Sequence, residues 1–197
     1  MLLSNIRTVH HDIFSLCRNL VFVDLRAAKD LRHLDDMAFS GFEMLKTVLL
    51  GDNLKTIGAS AFEDSGLEFF TAPVSLKKIG DSAFCDCKDL RCVDLSACTL
   101  QFAARANFLS ECVFGYSGLE TVVLPRTLCV IKEHTFVGCK NLRSITLGEN
   151  FELKEIQSEA FYGSGLESFT ASASLKKIGN NAFMSCRALK HVDLSAC

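Results

Sequence analysis

The sequence has little of what marks several classes of protein. It contains no Trp and only 2 Pro, and 21 Lys and Arg nearly balance 23 Asp and Glu, which leaves a formal net charge of −2. This balance argues against a nucleic-acid-binding protein, because such proteins depend on an excess of basic residues. No run of about 18 apolar residues occurs, so no membrane-spanning helix is predicted. Charged residues between positions 1 and 20 also interrupt any signal-peptide core.

Enzyme signatures are missing as well. The sequence has no G-x-S-x-G motif, no phosphate-binding loop and no dinucleotide fingerprint. The His residues are scattered over variable positions, and none shares a predicted site with a nucleophile and a carboxylate. The cysteines do not show the paired spacing of a zinc site. We therefore expect a non-catalytic protein with no cofactor and no metal.

What the sequence does contain is a repeat. Residues 66–98 and 165–197 are identical at 22 of 33 aligned positions, at an offset of 99 residues. A shorter period lies inside the long one, with eight units of 22–29 residues. Each unit opens with a Leu at position 0 and has further apolar residues at positions 3 and 5. The units begin at Leu20, Leu45, Leu67, Leu90, Leu119, Leu142, Leu166 and Leu189.

Each unit continues with an L-x-x-I pair, a Phe five residues later and, in most units, a Cys or Ser three residues after the Phe. Alternation at positions 3 and 5 predicts a short strand with two residues in the core. One unit cannot bury its apolar face, but stacked units can, so the strands should form one parallel sheet. The L-x-x-I segment should line a second wall. The segment around the Phe should form a short helical turn on the convex side.

The pattern L-x-x-I-x-L-(P)-x-x-L-K-x-I-G-x-x-A-F-x-x-C resembles the BspA-like, or Treponema-type, leucine-rich repeat. Residues 67–89 and 166–188 match best, whereas residues 20–44 and the long unit at 90–118 depart from it. The resemblance implies a leucine-rich repeat solenoid: a right-handed coil with a parallel β-sheet on its concave face, forming a single domain over residues 1–197. It also implies proteins exposed on microbial cell surfaces, where they adhere to host or matrix proteins.

The sequence shows no polar cap at Cys197. The chain starts inside a repeat and stops just after a strand, which indicates a piece of a longer array. An uncapped strand edge also predicts end-to-end self-association.

The ten cysteines fit the repeat better than a disulfide framework. Cys87, Cys139 and Cys186 share one phase in alternate units, so their sulfurs should lie about 10 Å apart, too far to bond. We expect them to be free and buried. Cys98 and Cys197 should join a hydrogen-bonded stack inside a turn. A bridge among the remaining candidates stays open: Cys85, Cys92, Cys112 and Cys129.

The side chains at position 1 alternate in sign from unit to unit, which predicts a ladder of ion pairs that sets the register. It consists of Lys46, Glu68, Arg91, Glu120, Arg143, Glu167 and Lys190.

Positions 2 and 4 should project from the concave face and are the candidate partner-binding surface. Exposed aromatic residues dominate many interfaces, so Phe22 and Phe69 are the expected anchors. The candidate residues are Phe69, Thr71, Cys92, Asp94, Thr121, Val123, Ser144, Thr146, Ser168, Thr170, His191 and Asp193.

The long unit has about six extra residues near 99–105, which should emerge as a loop. Leu100 and Phe102 in this loop are candidates to insert into a partner, or to tuck against the neighbouring turn.

These observations predict a protein-interaction module that binds through the concave sheet, and the family resemblance adds the interpretation of a cell-surface adhesin. An intracellular scaffold and an architectural spacer are the alternatives. The expected partner is a protein, with no nucleic acid and no membrane insertion. The compartment stays open, because the resemblance favours the cell surface whereas unpaired cysteines also fit the cytoplasm.

Overall fold

A computed structural model describes residues 6–98, 100, 108–109, 111–147 and 151–195, with only the backbone at 108–109. The chain forms short strands that alternate between two walls: the odd-numbered strands build one wall and the even-numbered strands the other. In chain order they are β1 (Thr8–Val9), β2 (Phe22–Asp24), β3 (His33–Leu34), β4 (Thr47–Leu49), β5 (Thr56–Ile57), β6 (Phe69–Thr71), β7 (Lys78–Ile79), β8 (Cys92–Asp94), β9 (Phe108–Leu109), β10 (Thr121–Leu124), β11 (Val130–Ile131), β12 (Ser144–Leu147), β13 (Glu155–Ile156), β14 (Ser168–Thr170), β15 (Lys177–Ile178) and β16 (His191–Asp193).

Every strand pairs in parallel with the equivalent strand of an adjacent turn. In the even wall, Cys92 lies opposite Thr121, which lies opposite Ser144. In the odd wall, Ile57 lies opposite Ile79. Register is therefore set by the repeat, because a slip of one residue would turn the buried side chains outward. The predicted coil of stacked units is confirmed.

The even wall is interrupted twice. Among the strands that the structure describes, no ladder joins β4 to β6 or β12 to β14, so the order reads β2-β4, β6-β8-β10-β12 and β14-β16. Both interruptions precede a strand whose inward residue is Phe70 or Phe169. In β2, β4, β8, β10, β12 and β16 that position holds Val or Ile. We attribute the two gaps to the larger ring, which takes up space beside the preceding strand.

The third side of each turn is not helical, and the predicted helical turn is wrong. In the described part of the chain these segments are hydrogen-bonded turns. Around Phe39, alternate N–H groups donate to the next turn of the coil: Met37 to Ala59, Phe39 to Ala61 and Gly41 to Glu63. In the seven turns from Phe39 to Phe183, the residues two before and two after the Phe have positive φ, which excludes a right-handed helix. These residues are Met37, Gly41, Ser60, Asp64, Ser82, Asp86, Cys112, Tyr116, His134, Gly138, Glu159, Gly163, Asn181 and Ser185.

One Phe from each turn forms a continuous column through the core. Neighbouring rings are stacked, with centroids 5.1–5.9 Å apart, and the middle members are fully buried. Stacked rings add attraction to the area that they bury. The column explains why this sequence uses so many Phe; it comprises Phe14, Phe39, Phe62, Phe84, Phe114, Phe136, Phe161 and Phe183.

Beside this column, Ser and Cys alternate from turn to turn, and the predicted free cysteines are confirmed. Cys87 and Cys139 are fully buried, Cys186 is half-buried, and all three are unbonded to other sulfurs. Each thiol also donates to the carbonyl of a Phe in the preceding turn at 2.9 Å. These cysteines therefore satisfy a backbone acceptor in addition to filling space.

Cys98 is buried, and its thiol donates to the carbonyl oxygen of Leu95 at 3.1 Å. This bond fits the hydrogen-bonded stack expected inside the turn. Cys197 lies outside the described residues.

Candidate functional site

The even wall has one face in the core and one in solvent, and the outer face is called the strand face below. Two adjacent residues of β6 show the division: Phe70 is 4 % exposed, whereas Phe69 is 57 % exposed. Alternation along a strand produces this contrast, because successive side chains point to opposite sides of the sheet. Every side chain on the outer face is therefore carried by backbone that the core holds in place.

The structure places all twelve candidate partner-binding residues on the strand face. Asp94, Val123 and Asp193 are half-buried and the others are exposed. The continuous ladder from β6 to β12 brings eight of them side by side: Phe69, Thr71, Cys92, Asp94, Thr121, Val123, Ser144 and Thr146. The other four lie on the separate β14–β16 pair: Ser168, Thr170, His191 and Asp193.

Two of the candidate aspartates also have a structural task. Asp94 accepts the backbone N–H of Ser96 at 2.8 Å, and Asp193 accepts that of Ser195 at 2.9 Å. Hydrogen bonds from Ser195 to the carboxylate of Asp193 close the turn after β16. They lower the pKa of Asp193 because they favour its charged form. Sequence reasoning treated these residues only as part of a binding surface.

Asp24 makes the same turn at the end of β2 and adds a bidentate ion pair with Arg26, with contacts of 3.0 and 2.7 Å. The guanidinium of Arg26 lowers the pKa of Asp24 to about 2. The pair therefore presents a nearly neutral, fixed unit at this end of the strand face.

The strand face carries two clefts that sequence reasoning missed. One, of about 480 Å³, lies at the gap between β4 and β6, and its lining includes Arg26, Leu49, Phe69 and Val74. The other, of about 520 Å³, lies at the gap between β12 and β14 and includes Phe151 and Phe169. The sequence does mark both places. Each cleft lies just before a strand that has Phe, rather than Val or Ile, at position 3 of its unit.

The first cleft has exposed apolar side chains in its lining. Phe69 and Val74 line it and are 57 % and 61 % exposed. Phe22, on β2 of the same wall, is also more than half exposed. Large apolar side chains held in water beside a cleft are typical of contact sites for other molecules.

The two loop candidates have different outcomes. Leu100 is fully buried within the core, so it takes the second of its two predicted positions and is not available to a partner. Phe102 lies outside the described residues.

The predicted charge ladder forms only at its two ends. Lys46 Nζ lies 3.8 Å from Glu68 Oε1, and Lys190 Nζ lies 3.6 Å from Glu167 Oε2. Arg91, Glu120 and Arg143 make no ion pair within the described ranges. Exposed pairs of this kind add little stability, and the long side chains in the middle stay solvated.

Within residues 6–98, 100, 111–147 and 151–195, no group of three or more His, Cys, Asp and Glu residues could hold a metal ion. Over the same residues, no helix is long and apolar enough to span a bilayer.

Comparison with known families agrees with this geometry. The sequence matches the family described as "BspA type Leucine rich repeat region", in six copies, over residues 1–96 and 107–196. The chain belongs to the BspA-type leucine-rich repeat family. No curated protein matches the sequence.

Solved structures show the same leucine-rich repeat fold. A leucine-rich repeat protein from Bacteroides ovatus superposes with a TM-score of 0.72 at 22 % identity, covering 98 % of this chain and 60 % of its own. The Treponema pallidum leucine-rich repeat protein gives 0.66 at 23 % identity, with 94 % and 72 % covered. A leucine-rich cell surface protein from Faecalibacterium prausnitzii gives 0.53 at 20 % identity, with 97 % and 64 % covered. The chain thus spans about 60 % of the length of the Bacteroides protein.

Proposed function

We propose that this chain is a non-catalytic protein-interaction module that binds a protein ligand through the strand face, and that it acts as a cell-surface adhesin. The observation that carries the proposal is Phe69, whose ring is 57 % exposed beside the cleft between β4 and β6. The fold does not need this ring outside, because Phe70 already fills the core from the same strand. Aromatic side chains, Phe among them, are enriched in protein interfaces relative to the rest of the surface.

The surroundings of Phe69 support a protein ligand. Hydroxyl-bearing side chains continue across the sheet from Thr71 to Thr121, Ser144 and Thr146, and they can both donate and accept hydrogen bonds. The strand face therefore combines an apolar anchor with a polar surround, as protein interfaces do. The adhesin role draws support from the Faecalibacterium neighbour, which is described as a cell surface protein.

Binding of the purified chain to a panel of purified extracellular-matrix proteins tests the proposal. Phe69→Asp and Thr146→Arg should each weaken binding to any matrix protein that the wild type binds, by at least about tenfold. Tyr116→Asp is the matched control: Tyr116 is an exposed aromatic residue on the turn side, and Asp64 and Asp86 occupy the same position in other units. Circular dichroism checks that each variant is folded.

Each other outcome counts against part of the proposal. Binding that Tyr116→Asp weakens while Phe69→Asp does not would move the interface to the turn side. If the wild type binds no member of the panel, the adhesin role is rejected. If it also binds no protein that accompanies it in its own cells, the architectural spacer replaces the interaction module.

A further inference from the structure

Two thiols meet on adjacent turns of the coil. The sulfurs of Cys85 and Cys112 lie 3.7 Å apart, although 27 positions separate them in the sequence. Two backbone hydrogen bonds hold the turns together at this point: Phe84 N–H to Val113 at 2.8 Å and Asp86 N–H to Gly115 at 2.9 Å. Because these bonds flank Cys85, its position relative to the next turn is set by the coil itself.

The neighbouring turn leaves room for this pair. A Cβ at Gly115 would lie 2.4 Å from the sulfur of Cys112, so only Gly lets that thiol occupy its place. The equivalent position in other units holds larger residues, such as Val137 and Tyr162. Cys112 is half-exposed and Cys85 is buried, which lets an external reagent reach Cys112 first.

We propose that Cys85 and Cys112 form a thiol–disulfide exchange site that reacts with low-molecular-weight disulfides and closes to an internal disulfide. A disulfide requires its sulfurs about 2.05 Å apart, so the two side chains must approach by less than 2 Å. We expect rotation of the two side chains about χ1 to bring the sulfurs together. The bond links the turn that contains Phe84 to the turn that contains Phe114, near the end of the long unit.

The exchange takes place in two balanced steps. The Cys112 thiolate attacks one sulfur of the reagent RS–SR, a mixed disulfide forms on Cys112, and RS⁻ leaves. The Cys85 thiol then loses its proton to solvent and attacks the Cys112 sulfur, which expels the second RS⁻. The protein dithiol is oxidised by two electrons, and the reagent is reduced to two thiols.

The surroundings of the two sulfurs divide these roles between them. The hydrogen bond from the Cys85 thiol, helped by the charge of His134 on the following turn, lowers the pKa of Cys112 to about 7. Desolvation and the negative charge of Asp86 oppose this shift. The same hydrogen bond and burial raise the pKa of Cys85. Cys112 is thus the attacking thiolate, and Cys85 keeps its proton until the second step.

Incubation of the purified chain with oxidised glutathione tests the site. After alkylation of the remaining thiols, peptide mapping should show a bond between Cys85 and Cys112. The rate of its formation should rise about tenfold per pH unit below the pKa of Cys112 and level off above it. Cys85→Ser should stop at the mixed disulfide on Cys112, whereas Cys112→Ser should leave Cys85 reduced.

Suitable controls are present in the chain. Ser is already found at the position of Cys112 in two units, as Ser60 and Ser82, and at the position of Cys85 as Ser40, so both variants should fold. Cys92→Ser removes an exposed thiol on β8 and should leave the internal bond intact. The proposal fails if Cys17 and Cys92 become glutathionylated while Cys85 and Cys112 stay reduced, or if the bond maps to another pair.

Discussion

Single positions in this protein are constrained mainly by the backbone of the turn side. Two residues in most turns adopt a left-handed conformation that residues other than Gly, Asn and Asp disfavour. In this conformation the N–H groups of Met37 and Ser60 donate to carbonyl oxygens of the next turn, those of Ala59 and Asp81. Some units have Asp or Gly at these positions, whereas others have residues for which a positive φ is less favourable.

Met37 is such a residue, with φ of 57° and a side chain that is 55 % exposed. Met37→Asn should raise the free energy of unfolding by about 0.5–1 kcal/mol, because Asn accepts this conformation more readily. Asn181 already occupies the equivalent position in another unit. Urea denaturation measures the change. Met44→Asn is the control, since Met44 is equally exposed without a positive φ, and an equal gain there would contradict the argument.

The short strands and turns of this protein are stable only when they stack on their equivalents in adjacent turns. A strand of three residues is too short to be stable alone, and each gains its stability from the equivalent strands above and below. Contact between successive turns is close enough that some positions admit no side chain. Gly66, Gly118 and Gly165 each lie directly against a carbonyl oxygen of the preceding turn.

Gly165→Ala should therefore push two turns apart. Its new Cβ would lie 2.1 Å from the carbonyl oxygen of Lys140, which is backbone and cannot rotate away. We expect a loss of about 1–3 kcal/mol in the free energy of unfolding, measured with urea. Gly51→Ala is the matched control, because the nearest atom there is 3.4 Å away. Equal stability of the two variants would show that the two turns can move apart without loss of free energy of unfolding.

The Phe column gives a second test of stacking between turns. Phe136 is fully buried between Phe114 and Phe161, with centroid distances of 5.6 and 5.1 Å. Phe136→Ala should cost about 3–5 kcal/mol in the free energy of unfolding. Phe183→Ala should cost clearly less, because Phe183 is half-buried and has one neighbour in the column. The ranking is read from urea unfolding, and a reversed order would refute it.

The whole molecule is a linear array in which each turn depends on its neighbours. Its stability is approximately a sum of turn and interface contributions, so protection should vary along the coil. Val122 on β10 lies between two paired strands and is 1 % exposed, whereas Val192 on β16 pairs on one side and is 44 % exposed.

Hydrogen exchange should reveal this gradient. Backbone amides of β10 and β12 should exchange more slowly than those of β16, by at least about tenfold, because fewer contacts hold the last turn. Mass spectrometry of peptides covering the three strands measures the rates at neutral pH. Uniform protection along the coil would show that the array unfolds as a single cooperative unit.

Much of this architecture follows from the repeat period in the sequence. A Leu, Val or Ile that recurs every 22–29 residues is buried by packing against its counterpart in the next turn, because one unit alone cannot bury it. That argument also predicted the two walls, the buried Phe and the outward side of the strand-face residues. It could not predict the backbone of the turn side, because the same A-F-x-x-C pattern suits a helix and a left-handed turn bonded to its neighbour.

Other features depend on how particular turns meet in space. The two clefts lie where the ladder of the even wall is interrupted, before the strands that carry Phe70 and Phe169, and Leu100 is buried in the core. Cys85 and Cys112 are in contact because the turns that contain Phe84 and Phe114 stack directly on each other, although 27 positions separate the two cysteines in the sequence. Repeat spacing determines which residues are equivalent, whereas tertiary packing determines which non-equivalent residues come into contact.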